Sequence, residues 1–180
     1  MRIFKENCIA VMVDVQEKLL PHMHNHEALL GKMVKLAKGL KMIEVPLLVT
    51  QQYTKGLGKT VDAFTDVLGD FNYTEKLTFS CYGEPSFLQT VKSHSREYII
   101  IFGIESHVCV LQTALDLIEH GYIPVVVEDC VSSRNPKDIE IAMNRIRQEG
   151  GIVSGFESIL FELIQTAEYE HFKTISKIVK

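Results

Sequence analysis

Residues Glu97 to Gly121 read EYIIIFGIESHVCVLQTALDLIEHG, and two hydrophobic periods meet inside them. Tyr98-Ile99-Ile100-Ile101-Phe102 is an unbroken apolar run of strand length, the pattern of a strand covered on both faces. Gly103 is expected to end it. From Leu111 the apolar side chains recur at Leu111, Ala114, Leu115 and Ile118, one face of a 3.6-period helix, and Gly121 is placed to cap it. Cys109 lies in the turn between the two, close to the helix start, where unpaired N–H groups and the positive dipole end favour a thiolate. Free cysteine is also among the most buried residue types, so position alone leaves nucleophile and small core residue both open.

Outward from this segment, strand-like and helix-like runs alternate along the whole chain, with no repeat, low-complexity stretch or linker between them. That alternation means a parallel sheet with helices on both faces. Strands are expected near Cys8 to Val13, Pro46 to Thr50, Tyr73 to Lys76, Tyr98 to Phe102, Ile123 to Glu128 and Gly151 to Ser154. Helical spacing is clear at Leu29, Met33, Leu36, Ala37 and Leu40, at Ile139, Ala142, Met143 and Ile146, and in the tail at Phe172, Ile175, Ile178 and Val179. The expected fold is a three-layer α/β/α domain over residues 1–180, with a doubly wound, mainly parallel six-stranded sheet of order 3-2-1-4-5-6.

The chain has 180 residues, enough for one domain, and 46% of them are hydrophobic, enough for a proper core. A net charge of −4 offers no basic field for nucleic acid or an acidic membrane. Small molecules or proteins are the expected partners. No run of 18 apolar residues and no cleavage-site pattern occurs, which points to a soluble cytoplasmic protein. Cys8, Cys81, Cys109 and Cys130 are far apart and form no CxxC pair, so reduced thiols are expected rather than a zinc site or a disulfide framework.

Two further polar residues fall at the carboxyl ends of predicted strands, where open α/β sheets bind ligands. Asp14 follows Ile9 to Val13, and Lys76 closes Asn72-Tyr73-Thr74-Glu75-Lys76. With strands one and four adjacent, Asp14 and Cys109 face one crevice. An aspartate there is also a common helix N-cap, and a lone lysine is usually just solvated. Taken together, Asp14 in VDVQ, Lys76 in KLTFS and Cys109 in GIESHVCV resemble the isochorismatase-like cysteine hydrolases, which carry an aspartate after the first strand, a lysine before a Phe-Ser pair and a cysteine after the fourth. The likeness extends to QQYTKGLGKT at 51–60 and VVVEDCVSSR at 125–134, and is closest to the isochorismatase-domain subgroup whose substrates are poorly defined.

The resemblance implies a triad. Cys109 attacks a carbonyl, Asp14 carries protons to the leaving amine and from water, and Lys76 keeps the site electropositive. It implies an oxyanion hole from the backbone N–H groups of Glu105 and Cys109, shaped by a cis peptide between Ile104 and Glu105. It also implies a homo-oligomer, for which the apolar tail Phe172 to Val179 offers a face. Because Cys109 is present, C–N acyl chemistry through a thioester is the expected activity. A vinyl-ether hydrolase of isochorismate type, or a non-catalytic binding or assembly module on the same fold, is the alternative.

The metal-binding nicotinamidase branch has an Asp-x-His pattern after its second strand, whereas this chain reads Thr50-Gln51-Gln52-Tyr53. His22, His24 and His26 are spaced two apart and share no helix face, so they are expected in a solvated loop. No metal and no cofactor is expected. Gln16, Tyr53, Phe79 and Tyr82 are candidate pocket residues, with core packing an equal account. Arg134 is a candidate for a substrate carboxylate or an interface contact, and is kept outside the catalytic set.

Overall fold

The structure, a computed structural model, describes residues 2–180. Its centre is a six-stranded, all-parallel sheet of order β3-β2-β1-β4-β5-β6. The strands are β1 Cys8–Val13, β2 Leu47–Gln52, β3 Thr74–Lys76, β4 Tyr98–Ile104, β5 Ile123–Ser132 and β6 Ile152–Ser154. Every residue of β1 and β4 is buried, as strands sandwiched between two helical layers must be.

Alternation nevertheless decides which layer each side chain meets. Cys8, Ala10 and Met12 of β1, with Tyr98, Ile100 and Phe102 of β4, pack against Leu29, Met33, Leu36, Ala37 and Leu40. Those belong to α1, His26–Met42. Ile9, Val11 and Val13, with Ile99 and Ile101, face the other way into a second core. That core is closed by α4 (Pro85–His94), α5 (Leu111–Glu119) and α6 (Pro136–Gln148), and the first by α7 (Phe156–Ile164) and α8 (Phe172–Val179). Two single-turn helices, α2 Thr54–Leu57 and α3 Thr65–Leu68, lie in the long connection from β2 to β3. Among the described residues no helix is long and apolar enough to cross a membrane.

Three expectations are corrected. Gly103 does not end β4, which runs on to Ile104 with Gly103 paired to both Val13 and Val131. A Cβ on Gly103 would lie 2.1 Å from the Val13 carbonyl oxygen and its φ is +125°, so glycine permits a close approach of β4 to β1. β5 extends past Glu128 to Ser132 through a bulge, since Ile101 pairs with Val126 but Gly103 pairs with Val131. Asp129 in that bulge accepts the N–H of Phe156 at 2.9 Å, at the start of α7. Finally, the tail helix α8 is not a free apolar face. Ile175 and Ile178 are buried in the chain's own first core.

Candidate active site

The parallel register sets the carboxyl ends of β1, β2, β3 and β4 side by side, and polar groups gather there. Asp14 leaves β1 with φ +51°, a left-handed conformation that aspartate adopts more readily than most residues. Its side chain caps no helix. Thr50 Oγ1 donates to Oδ1 at 2.8 Å and Lys76 Nζ donates to Oδ2 at 2.6 Å, all three residues being buried. The cap reading of Asp14 and the solvated reading of Lys76 both fall here.

Lys76 is saturated with acceptors. Besides Asp14 its ammonium bonds Gln52 Oε1 at 2.8 Å and the carbonyls of Phe79 at 2.9 Å and Thr78 at 3.2 Å. Three N–H donors thus serve four acceptors. Burial alone would lower the lysine, but Asp14, Cys81 and Cys109 outweigh it and hold the ammonium above its ordinary value.

The chain after β4 brings in the sulfur. The Ile104–Glu105 peptide bond is cis. Ser106–Val110 then forms a single π-helical turn, with the Glu105 carbonyl accepting from the N–H groups of Val108 and Val110, both at 3.2 Å. Such turns recur at functional sites. Cys109 sits inside this turn rather than before the helix, 7% exposed, with its thiol close enough to Asp14 and Lys76 for their charges to act on it. Burial pushes the thiol up, the Asp14 carboxylate adds to this, and Lys76 opposes it without prevailing. The expectation of a pre-formed thiolate is therefore corrected. The resting sulfur keeps its proton and lies near a carboxylate.

Three groups that sequence reasoning did not single out, Thr50, Gln52 and Thr113, complete the floor together with Cys81. Thr50 and Gln52, two apart on β2, share one face and reach Asp14 and Lys76 respectively. Cys81 Sγ donates to Thr50 Oγ1 at 3.7 Å, and the Cys81 N–H bonds Thr113 Oγ1 of α5 at 2.9 Å. Burial first, then Asp14, pushes the Cys81 thiol up to about 11. The signal available in the sequence was the alternation of Thr50 and Gln52 at the end of a strand next to Asp14.

The pocket candidates separate. Tyr53 lies beside the site, in an open depression of about 510 Å³ lined by Tyr53, Glu75, Lys76, Leu77, Thr78 and Glu84. Phe79 is exposed at the same edge. Gln16 is buried, and its amide straps the loop after β2, donating to Gln52 O at 3.0 Å and Gly58 O at 2.6 Å and accepting from Gln52 N at 2.7 Å. Tyr82 stacks its ring on His120 at 4.3 Å. From Cys109 to His120 a helix rises about 16 Å, so that stack lies at the far end of α5. Arg134 is tied to Glu105, its Nε 3.0 Å from Oε2, with most of its side chain in solvent. His22 and His24 are exposed, and no group of three or more His, Cys, Asp or Glu is close enough to hold a metal ion among the described residues.

Comparison with known proteins agrees with this fold. The isochorismatase domain model matches residues 8–158. Isochorismatase family protein 1B of Dictyostelium discoideum is 35% identical over 99% of this chain and 89% of its own length. The structure described as MAR1 ribonuclease from Caenorhabditis elegans superposes with a TM-score of 0.93 at 32% identity, covering 99% of this chain and 92% of that one. The YcaC gene product of Escherichia coli, described as an octameric hydrolase of unknown specificity, shares the fold at a TM-score of 0.93 and 22% identity, over 99% and 89% of the two chains. With its domain model matched across most of the sequence and a relative so similar along nearly all of it, the chain belongs to the isochorismatase family.

Proposed function

We propose that the protein is a cysteine hydrolase of small amides, ureides or related acyl compounds, working through a thioester on Cys109. Family membership supports hydrolysis. The observation that carries the finer reading is the buried Asp14 carboxylate, which takes Lys76 Nζ at 2.6 Å and lies near enough to the buried Cys109 thiol to act on its proton. A thiol held protonated is a poor nucleophile, so the base must act as the sulfur attacks. The Cys109 sulfur adds to the substrate carbonyl while its proton passes to Asp14. The C–N bond then breaks as Asp14 gives that proton to the leaving nitrogen. Water next adds to the thioester, losing a proton to Asp14, and the thiolate leaves and recovers a proton from it.

Lys76 stays charged throughout and stabilises the carboxylate and the transient thiolate. The N–H groups of Glu105 and Cys109 hold the oxyanion, where one donor is worth about 3–4 kcal/mol in acyl transfer. No step calls for a metal or a cofactor. The mouth residues Tyr53, Leu77 and Phe79 suit a compact, partly apolar substrate. A polyanion such as RNA is disfavoured by the net charge of −4 and by a nucleophile suited to carbonyl carbon. Four reduced thiols suit a cytoplasmic setting. A homo-oligomer belongs to this reading, with a face other than the buried side of α8.

Hydrolysis measured over a panel of small amides and ureides, with Cys109→Ala alongside, tests the reading. Turnover of at least one compound that vanishes in the variant is expected. Equal turnover in both proteins would refute it.

A further inference from the structure

We infer that Thr50 is the positioning residue of the base, holding the Asp14 carboxylate so that one oxygen faces Lys76 and the shared charge is aimed at the Cys109 thiol. This rests on the reading of Asp14 as the base. Thr50 is wholly buried on β2, and its hydroxyl donates to Asp14 Oδ1 at 2.8 Å. A hydroxyl has one proton, and here it is committed, because the thiol of Cys81 approaches the same oxygen as a donor at 3.7 Å. The Cys81 contact therefore turns the Thr50 proton toward the carboxylate. Cys81 is itself fixed through its N–H to Thr113 on α5. The order Cys81, Thr50, Asp14, Cys109 runs from one helix across the sheet to the nucleophile.

The orientation matters because Asp14 sits in a left-handed turn at the end of its strand, with only two other groups to fix its plane. Lys76 on β3 holds Oδ2, and Cys109 on the turn after β4 supplies the proton to be moved. Without the hydroxyl, one carboxylate oxygen faces a methyl group in a buried space, which weakens the charged form and frees the torsion that Thr50 holds. Thr50 makes no hydrogen bond to the Cys109 sulfur, so its effect reaches the chemistry only through Asp14. The charged and titratable groups facing the carboxylate are Lys76, Cys81 and Cys109.

The test needs no substrate. The rate at which iodoacetamide alkylates Cys109 is followed from pH 5 to 10 by peptide mapping, in the wild type, Thr50→Val, Thr50→Ser and Asp14→Asn. Thr50→Val is expected to move the acid limb of the profile up by about one pH unit, since a hydrogen bond to a charged group carries that order of free energy, and Thr50→Ser to restore it. A merely structural role would change the melting temperature and leave the limb in place. If Thr50→Val does not fold, Thr50→Ala against Thr50→Ser makes the same comparison, as both lack the methyl and differ only in the hydroxyl. Hydroxyl-free profiles that superimpose on the wild type, while Asp14→Asn alters it, overturn the inference and leave the base standing. An unchanged Asp14→Asn profile overturns the base and the inference with it.

Discussion

Lys76 is 1% exposed and its chain neighbour Leu77 is 74% exposed, so the boundary between crevice floor and crevice rim passes between two consecutive residues. On the floor, Asp14, Thr50, Lys76 and Cys81 are polar groups that satisfy one another, with water excluded. At the rim, Tyr53, Leu77 and Phe79 are large apolar groups with few neighbours. The contrast separates two roles. A buried ion pair is costly to break, so the floor tolerates little change and holds one chemistry. Rim side chains contribute little to stability and can vary with the substrate.

The sharpest break in that contrast is at the sulfur. Cys109→Ala should reduce turnover by about 10^4-fold or more, because no neighbouring group can replace a covalent nucleophile. A residual rate within tenfold of the wild type would remove Cys109 from the chemistry. Next in size is the ion pair. Lys76→Met leaves the Asp14 carboxylate buried without its cation, so urea unfolding should show a loss of about 3–5 kcal/mol. A loss below about 1 kcal/mol would mean that water reaches the floor.

The thiols supply a pH test of the same burial. Cys8 is pushed from 9.0 to about 12 by burial and Cys81 from 9.0 to about 11, so between those values the native state holds protons that the unfolded chain has released. Stability is then complete below about pH 9 and falls as the pH rises toward 11 and 12. Melting temperatures between pH 8 and 11 should decline, and a flat profile would show the thiols to be solvated. Near pH 7.5, iodoacetamide should reach Cys109, at 7% exposure, before Cys8, Cys81 and Cys130, all at 0%, yet more slowly than a free cysteine. The smallest effects belong to the rim. Leu77→Ala should change stability by less than about 0.5 kcal/mol and shift KM a few-fold with kcat nearly unchanged.

How much of this was legible in the sequence follows the same boundary. The strand order and the meeting of Asp14, Lys76 and Cys109 were readable, because the apolar runs of β1 and β4 marked the central strands and the likeness of VDVQ, KLTFS and GIESHVCV to the isochorismatase-like hydrolases joined Lys76, at the end of a polar strand, to the other two. Gly103 misled, since glycine stops strands as a rule and here lets two strands approach. Thr50 and Gln52 went unnoticed as partners because hydrogen bonds across strands have no signature in one strand's composition. The apolar stripe of α8 was real, but a stripe does not say whether its own core or another chain covers it. The ionisation state of Cys109 was also out of reach, for it is decided by the burial and by Asp14, 95 residues away in the chain.

The central claim is a covalent acyl intermediate on one sulfur, and acid-quenched mass spectrometry during turnover tests it most directly. With a hydrolysed amide, the wild-type protein should gain the mass of the acyl group on the peptide that contains Cys109, and Cys109→Ala should gain none. Steady turnover with no such adduct, unaffected when Cys109 has been alkylated beforehand, would contradict the account.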